Sequence, residues 1–191
     1  QMEILFIVGS LRKGSFNRMI ADAAMKDLEG KAEVRFLDWH EIPMLNADWN
    51  YPFAESVNIV RNAIYDADAL WIFCPEYNGS YPGGLKNLLD FASLTFKAGD
   101  YSSGTPIMDK PVAISGAGGG FGTSRAQAKL IELLKQLRCK VMEDDRVMIK
   151  LPKEAFSTGV WNPTEEDLAA IKKEADAFLA FAKENLPEKK D

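Results

Sequence analysis

Three features of this 191-residue chain predict an α/β fold, a doubly wound five-stranded parallel sheet with helices on both faces. Short apolar runs such as Ile4 to Val8 and Ala69 to Cys74 are continuous rather than alternating, the pattern of strands buried on both faces. Between them, apolar residues recur at helical spacing. Each run gives way to a stretch of turn formers and polar groups, which puts loops at the carboxyl ends of the strands, where open α/β sheets bind ligands.

The first strand, Ile4 to Val8, stops at Gly9, and a helix begins near Ser15, with Phe16, Met19, Ile20, Ala23, Ala24 and Leu28 on one face. Ser15 is placed to cap it. Glu33 to Leu37 reads as a second strand near an edge. Residues 39–52, with Pro43, Pro52, Trp39, Trp49 and Tyr51, read as a long aromatic loop, either a binding loop or a packed surface excursion. Val57, Val60 and Ile64 mark the second helix, and Ala69 to Cys74 the central third strand. Pro75 to Gly84 is a loop, followed by a helix carried by Leu85, Leu88, Leu89 and Ala92. Phe96 to Asp109 reads as another loop, a lid or an interface. Pro111 to Ser115 is the fourth strand, running into Gly116 to Gly122, where five of seven residues are glycine. Thr123 opens a fourth helix with Ala126, Leu130, Leu133, Leu134 and Leu137. Val141 to Val147 reads as a more polar fifth strand, and residues 148–163 as irregular. The last helix starts at Thr164-Glu165-Glu166-Asp167, a capping residue followed by acids, and Glu188 to Asp191 is expected to fray.

Length fits one domain over residues 1–191, with room for a proper core. A net charge of -5 and a pI of about 5.1 give no general surface for nucleic acid or anionic membrane. No apolar run approaches the roughly 20 residues that span a bilayer. The start of the chain shows no basic flank or cleavage site, so no signal peptide is expected. Two cysteines, Cys74 and Cys139, are too few for a disulfide framework, which fits a reducing cytoplasm. A single histidine, His40, argues against a histidine-built metal site, and no metal is expected.

The loop after the first strand carries Ser10, Arg12, Ser15 and Asn17 at a helix N-terminus, where unpaired N–H groups and the helix dipole favour an anion. This reads as a phosphate cradle, the alternative being a capped helix after a surface loop with no ligand. Gly9 and Gly14 have Walker A spacing, but Ser15 and Phe16 stand where Lys and Ser or Thr are needed. With only two glycines the loop is not a dinucleotide fingerprint either, so a single terminal phosphate is the better fit. No register of the Gly116–Gly122 run gives G-x-G-x-x-G. Its glycine density marks either a close approach of backbone to something flat or bulky, or a flexible turn.

The strand and helix order is that of a flavodoxin-type sheet. Within it stand Gly9-Ser10-Leu11-Arg12-x-x-Ser15-x-Asn17, then Pro75-Glu76-Tyr77-Asn78-x-Ser80-x-Pro82-Gly83-x-Leu85-Lys86-Asn87-x-x-Asp90, then Lys110-Pro111. In these motifs the chain resembles the NADPH-dependent FMN reductase family, with its quinone and chromate reductases and some azoreductases. Little of the resemblance lies beyond about residue 148. It implies that Ser10, Arg12, Ser15, Phe16 and Asn17 hold the FMN phosphate. By the same resemblance Pro75, Glu76, Tyr77, Asn78 and Ser80 belong to the isoalloxazine edge, and Ser115, Gly116, Gly118 and Gly119 to its pyrimidine side, with backbone N–H groups at N1 and the C2 carbonyl. For Tyr77, core packing is the competing role.

The resemblance further implies an NAD(P)H-dependent oxidoreductase. NADPH or NADH would give a hydride to flavin N5, and quinones, chromate, azo compounds or free flavin would take the electrons, with no protein residue as catalyst. Lys13 and Arg18 are the basic residues that a 2′-phosphate of NADPH would meet, or else solvated surface. A homodimer or homotetramer is implied, with Arg125, Tyr81 and the 96–109 loop as contact candidates. Two other readings share the fold: a one-electron flavodoxin-like carrier, disfavoured by Arg12 and the Pro75–Asn78 loop, and a flavin-binding regulatory or redox-sensing module.

Overall fold

The computed structural model describes residues 1–188, so most of the expected C-terminal fraying falls outside the described residues. The strands are β1 (Glu3–Val8), β2 (Glu33–Phe36), β3 (Ala69–Phe73), β4 (Pro111–Gly118), β5 (Lys140–Val141) and β6 (Met148–Lys150). The helices are α1 (Phe16–Asp27), α2 (Glu55–Asp66), α3 (Gly83–Ala92), α4 (Ser124–Gln136), α5 (Lys153–Thr158) and α6 (Glu165–Glu184). Short 3-10 turns at Ala47–Trp49 and Tyr101–Ser103 punctuate the two long loops.

All pairings are parallel and the order is β2-β1-β3-β4-β5, with β6 beside β4. In β1, Ile4 and Phe6 enter one apolar layer while Leu5 and Ile7 enter the other, as the two-residue period of a strand requires. The first layer is closed by α1 and α6 through Phe16, Ile20, Ile171 and Phe178. The second is closed by α2, α3 and α4 through Ile64, Leu88 and Leu134. Each fully buried side chain of this size contributes about 1.5–3 kcal/mol. The flavodoxin-like parallel sheet with helices on both faces is as the sequence predicts, with one strand beyond the five expected.

The fifth strand is not one strand. β5 pairs with Pro111 and Val112, β6 pairs with Gly116 to Gly118, and residues 143–146 leave the sheet between them. The cause is local: Glu143-Asp144-Asp145-Arg146 is four consecutive charges, unsuited to a ladder, and Asp145 takes a positive φ of 61°. A second correction follows from β6. Because it pairs with β4, that strand continues to Gly118, and the glycine run is sheet for its first three residues.

Residues 148–163 are also more ordered than expected, containing β6 and α5. Thr164 and Asp167 form the anticipated capping box, with Asp167 N–H to Thr164 Oγ1 at 3.0 Å and Thr164 N–H to Asp167 Oδ2 at 2.9 Å. Ser15 holds the N-cap position of α1, but its side chain makes no capping hydrogen bond.

Candidate functional site

Parallel strands bring the ends of β1, β3 and β4 to one edge, and their loops surround a groove of about 210 Å³. Its lining joins Ser10, Arg12, Ser15, Phe16 and Asn17 from the first loop, Pro75, Glu76 and Tyr77 from the loop after β3, and Ala117, Gly118 and Gly119 from β4 and just beyond. Leu151, Ala155 and Phe156, from β6–α5, close the remaining side. Gly9 lets β1 and β3 end this close together, since a Cβ there would sit 3.0 Å from Pro75 Cδ and 3.2 Å from the Phe73 carbonyl.

The first loop offers donors. Phe16 and Asn17 open α1, where first-turn N–H groups have no intrahelical acceptor. Ser15 is buried beside them, and Arg12 reaches back to donate to the Gly14 carbonyl at 3.3 Å with its guanidinium 5.0 Å from the centre of the Phe16 ring. Asn17 is different. Its amide is committed at both ends to one backbone unit, Nδ2 donating to the Ala117 carbonyl at 3.1 Å and Oδ1 accepting from the Ala117 N–H at 2.9 Å. The side chain therefore ties α1 to β4 and leaves only its backbone N–H for a ligand.

Glu76 is anchored to α4. Its carboxylate accepts from the Ala126 N–H at 2.8 Å and from Arg125 Nη2 at 3.0 Å. Burial pushes its pKa up, but the Ala126 N–H and the Arg125 guanidinium outweigh that and hold it below the usual carboxylate range. Arg125 also lies 3.7 Å from the centre of the Phe121 ring. Tyr77 is half exposed at the rim, positioned by a tight turn in which Tyr77 N–H donates to the Ser80 carbonyl at 2.8 Å. Asn78 and Gly79 take φ of 52° and 71°, the paired positive values that Asn-Gly accommodates.

Four predicted site residues are not in the groove. Asn78 and Ser80 are used by the turn that presents Tyr77. Ser115 and Gly116 lie inside β4, because that strand runs on to Gly118. Ser115 is fully buried and its hydroxyl donates to Glu174 while accepting from Trp71 Nε1 at 2.8 Å. A Cβ on Gly116 would sit 2.3 Å from Thr123 Oγ1 and 2.4 Å from the Cys74 carbonyl, so its close approach is to the protein itself. Gly118 is likewise packed, with a Cβ position 2.9 Å from Thr123 Cγ2, whereas nothing lies within 4 Å of one on Gly119.

Sequence reasoning missed Ala117, the α5 wall and Glu174. Pro152 before α5 and Gly159 after it, at φ 71°, were available as a start and a stop signal. Phe156 and Trp161 each meet Phe16 edge-on with ring centroids 6.1 Å apart, which fixes α5 against α1. Glu174, on α6, is fully buried; Oε1 accepts from the Val147 N–H at 3.0 Å and from Ser115, and Oε2 has no partner among the described residues. Burial pushes its pKa up to about 8, so the carboxyl is mostly protonated at neutral pH.

The family described as NADPH-dependent FMN reductase matches residues 2–153. A 2-hydroxy-1,4-benzoquinone reductase of a Burkholderia species is 35% identical over 150 residues, covering 78% of this chain and 79% of that protein. A quinone reductase of Escherichia coli K12 is 35% identical over 152 residues, covering 78% and 77%. Among solved structures, FerB, a flavoenzyme NAD(P)H:(acceptor) oxidoreductase from Paracoccus denitrificans, superposes with a TM-score of 0.84 at 29% identity over 98% of this chain and 100% of that one. The chain belongs to the NADPH-dependent FMN reductase family, a family of oxidoreductases.

Proposed function

We propose that the protein holds FMN in the groove at the ends of β1, β3 and β4 and passes electrons from NADPH or NADH to quinones or comparable acceptors such as chromate, azo compounds or free flavin. The observation that carries this reading is the donor set of the first loop: Ser10, Ser15, Arg12 and the opening N–H groups of α1 converge on one side of the groove. Donors of this kind, with one guanidinium among them, fit a terminal phosphate. The relatives named as quinone reductases support the acceptor class.

When bound, FMN supplies the hydride chemistry, accepting from the nicotinamide and giving to the acceptor. The chain's own residues would do the holding. Arg12 neutralises phosphate charge, Ser10 and Ser15 donate to its oxygens, and Asn17 keeps the α1 terminus in register with β4. Pro75 and Tyr77 line one side, Gly118 and Gly119 another, and Leu151, Ala155 and Phe156 exclude water from the third. Glu76, ionised and tied to Arg125, fixes the loop that carries Tyr77.

In the same reading the chain is a single FMN-binding domain that works as a homodimer or homotetramer. The 96–109 loop is the contact candidate, since Tyr101 is 89% exposed and Phe96 41% exposed. A cytoplasmic location agrees with Cys74 and Cys139, both free and buried. Among the described residues no helix is long and apolar enough to cross a membrane.

The test is the visible spectrum of the protein with FMN before and after anaerobic NADPH, followed by benzoquinone. Bleaching and then recovery are expected. A bound flavin that stays oxidised would favour the carrier or sensor reading, and no bound flavin would remove the proposal altogether.

A further inference from the structure

The loop after β1 has a second side. Across it from the flavin groove, at the carboxyl ends of β1 and β2, is another groove of about 300 Å³, and Ser10, Arg12 and Ser15 line both. The loop is thus a ridge between two depressions. Lys13, Arg18 and Phe36 line only the second.

We propose that this second groove receives the adenylate end of the nicotinamide dinucleotide, with Lys13 and Arg18 on its 2′-phosphate. The inference rests on the reading of the first groove as the FMN site. Three observations support it. The chain carries a net charge of -5, yet Arg12, Lys13 and Arg18 come together on this one loop and helix start. The acids nearby are already engaged: Asp22 accepts from Arg18 at 3.0 Å, and Asp38 bonds His40. Lys13 makes no ion pair among the described residues, so its charge faces the groove without a carboxylate partner. Third, the Arg18 guanidinium lies flat on Phe36, 3.6 Å from the ring centre, and with Asp22 at its edge it is held in one plane. A guanidinium fixed in this way offers both a donor fork for a phosphate and a face on which a purine can stack.

The placement also suits the ligand. A dinucleotide carries its two ring systems at opposite ends, and the second groove adjoins the first at Ser10, Arg12 and Ser15, away from Pro75 and Tyr77, so the nicotinamide and adenylate ends are kept apart. Arg12 faces both sides, but on the flavin side it has Ser15 and the α1 N-terminus with it, whereas Lys13 and Arg18 are left for the second phosphate.

The probe is 2′,5′-ADP, titrated calorimetrically into the FMN-loaded protein and into the Lys13→Ala/Arg18→Ala double variant. We expect binding to the parent, weakened about tenfold or more in the variant, as for a lost charged hydrogen bond. KM for NADPH should rise in step, while KM for NADH changes less than about twofold. Lys13→Arg should retain the preference, and salt should erode it because these side chains are exposed. No binding of 2′,5′-ADP, or an unchanged NADPH-to-NADH ratio in the double variant, would overturn the proposal. So would a variant that binds FAD more weakly than FMN relative to the parent while leaving NADPH unaffected, because the groove would then serve a flavin's own adenylate. All of these are read on protein that holds FMN; failure of the parent to hold FMN would instead remove the reading beneath it.

Discussion

Two segments face each other across the groove at the ends of β1, β3 and β4 and use their polar groups in opposite ways. The loop after β1 keeps its donors at the surface of the groove: the Ser15 side chain makes no capping bond, and among the described residues the Arg12 guanidinium donates to the Gly14 carbonyl alone, beside the Phe16 ring. The glycine segment of β4 is occupied with the protein. Gly116 and Gly118 make room for Thr123, Ala117 is bonded to Asn17, and the Gly118 carbonyl accepts from the Leu151 N–H at 2.7 Å. The first segment therefore leaves donors open to the groove, and the second builds the scaffold that shapes it. Variants of the first should change binding with little effect on stability, and variants of the second should do the reverse.

The largest effect should come from Gly116→Val. Its side chain would collide with Thr123 and the Cys74 carbonyl, and neither can withdraw from a central parallel strand. A loss of about 3 kcal/mol or more, or failure to fold, is expected from urea denaturation. Gly119→Ala is the control within the same run, because its Cβ meets nothing within 4 Å and stability should stay within about 0.5 kcal/mol. Equal damage at both positions would break the distinction.

Glu174 tests the scaffold through pH. Its pKa is raised from 4.5 to about 8, so the folded protein keeps a proton that the unfolded chain releases. Stability should then fall as pH rises from about 4.5 to about 8 and level off above, by several kcal/mol in total from this group. Glu174→Gln should flatten that slope in thermal melts across the range. A slope unchanged by the substitution would mean that the carboxyl is solvated or paired.

Asn17→Ala sits between the two segments. Removing its amide leaves the Ala117 N–H and carbonyl without partners, a cost of about 1–3 kcal/mol in stability. FMN affinity should fall as well, since α1 loses its tie to β4. Loss of affinity without loss of stability would return Asn17 to the first segment's class. The smallest effect on stability is expected at Arg12→Ala, within about 0.5 kcal/mol, because the side chain is exposed.

The same contrast governs how much could be read from the sequence. The loop after β1 is written in consecutive residues, and its strand and helix signals lie within twenty positions, so its place between β1 and α1 was legible. The apolar layers were legible for a similar reason, as β1 and β3 are unbroken runs. The far wall was not. β6 has three residues and α5 has six, too short for any period to register, and β6 exists by pairing with β4 some thirty residues away. Glycine density announced a close approach without naming the neighbour, and the neighbour proved to be Thr123. Asn17 could be marked as polar and well placed, but not as bonded to a backbone unit 100 positions on. Glu174 falls on the apolar face of α6 between Ile171 and Phe178, and its bond to the Val147 N–H joins positions 27 apart, which no local pattern records.

The most direct test of the account is a pair of equilibrium titrations, FMN and riboflavin, against the parent protein and Arg12→Ala. Riboflavin has the ring and ribityl chain but no phosphate. If the loop after β1 is a phosphate cradle, the parent should strongly prefer FMN. Arg12→Ala should then weaken FMN by about 1.5–3 kcal/mol while leaving riboflavin where it was. Equal affinity of the parent for the two flavins, or a loss in Arg12→Ala that is the same for both, would contradict it.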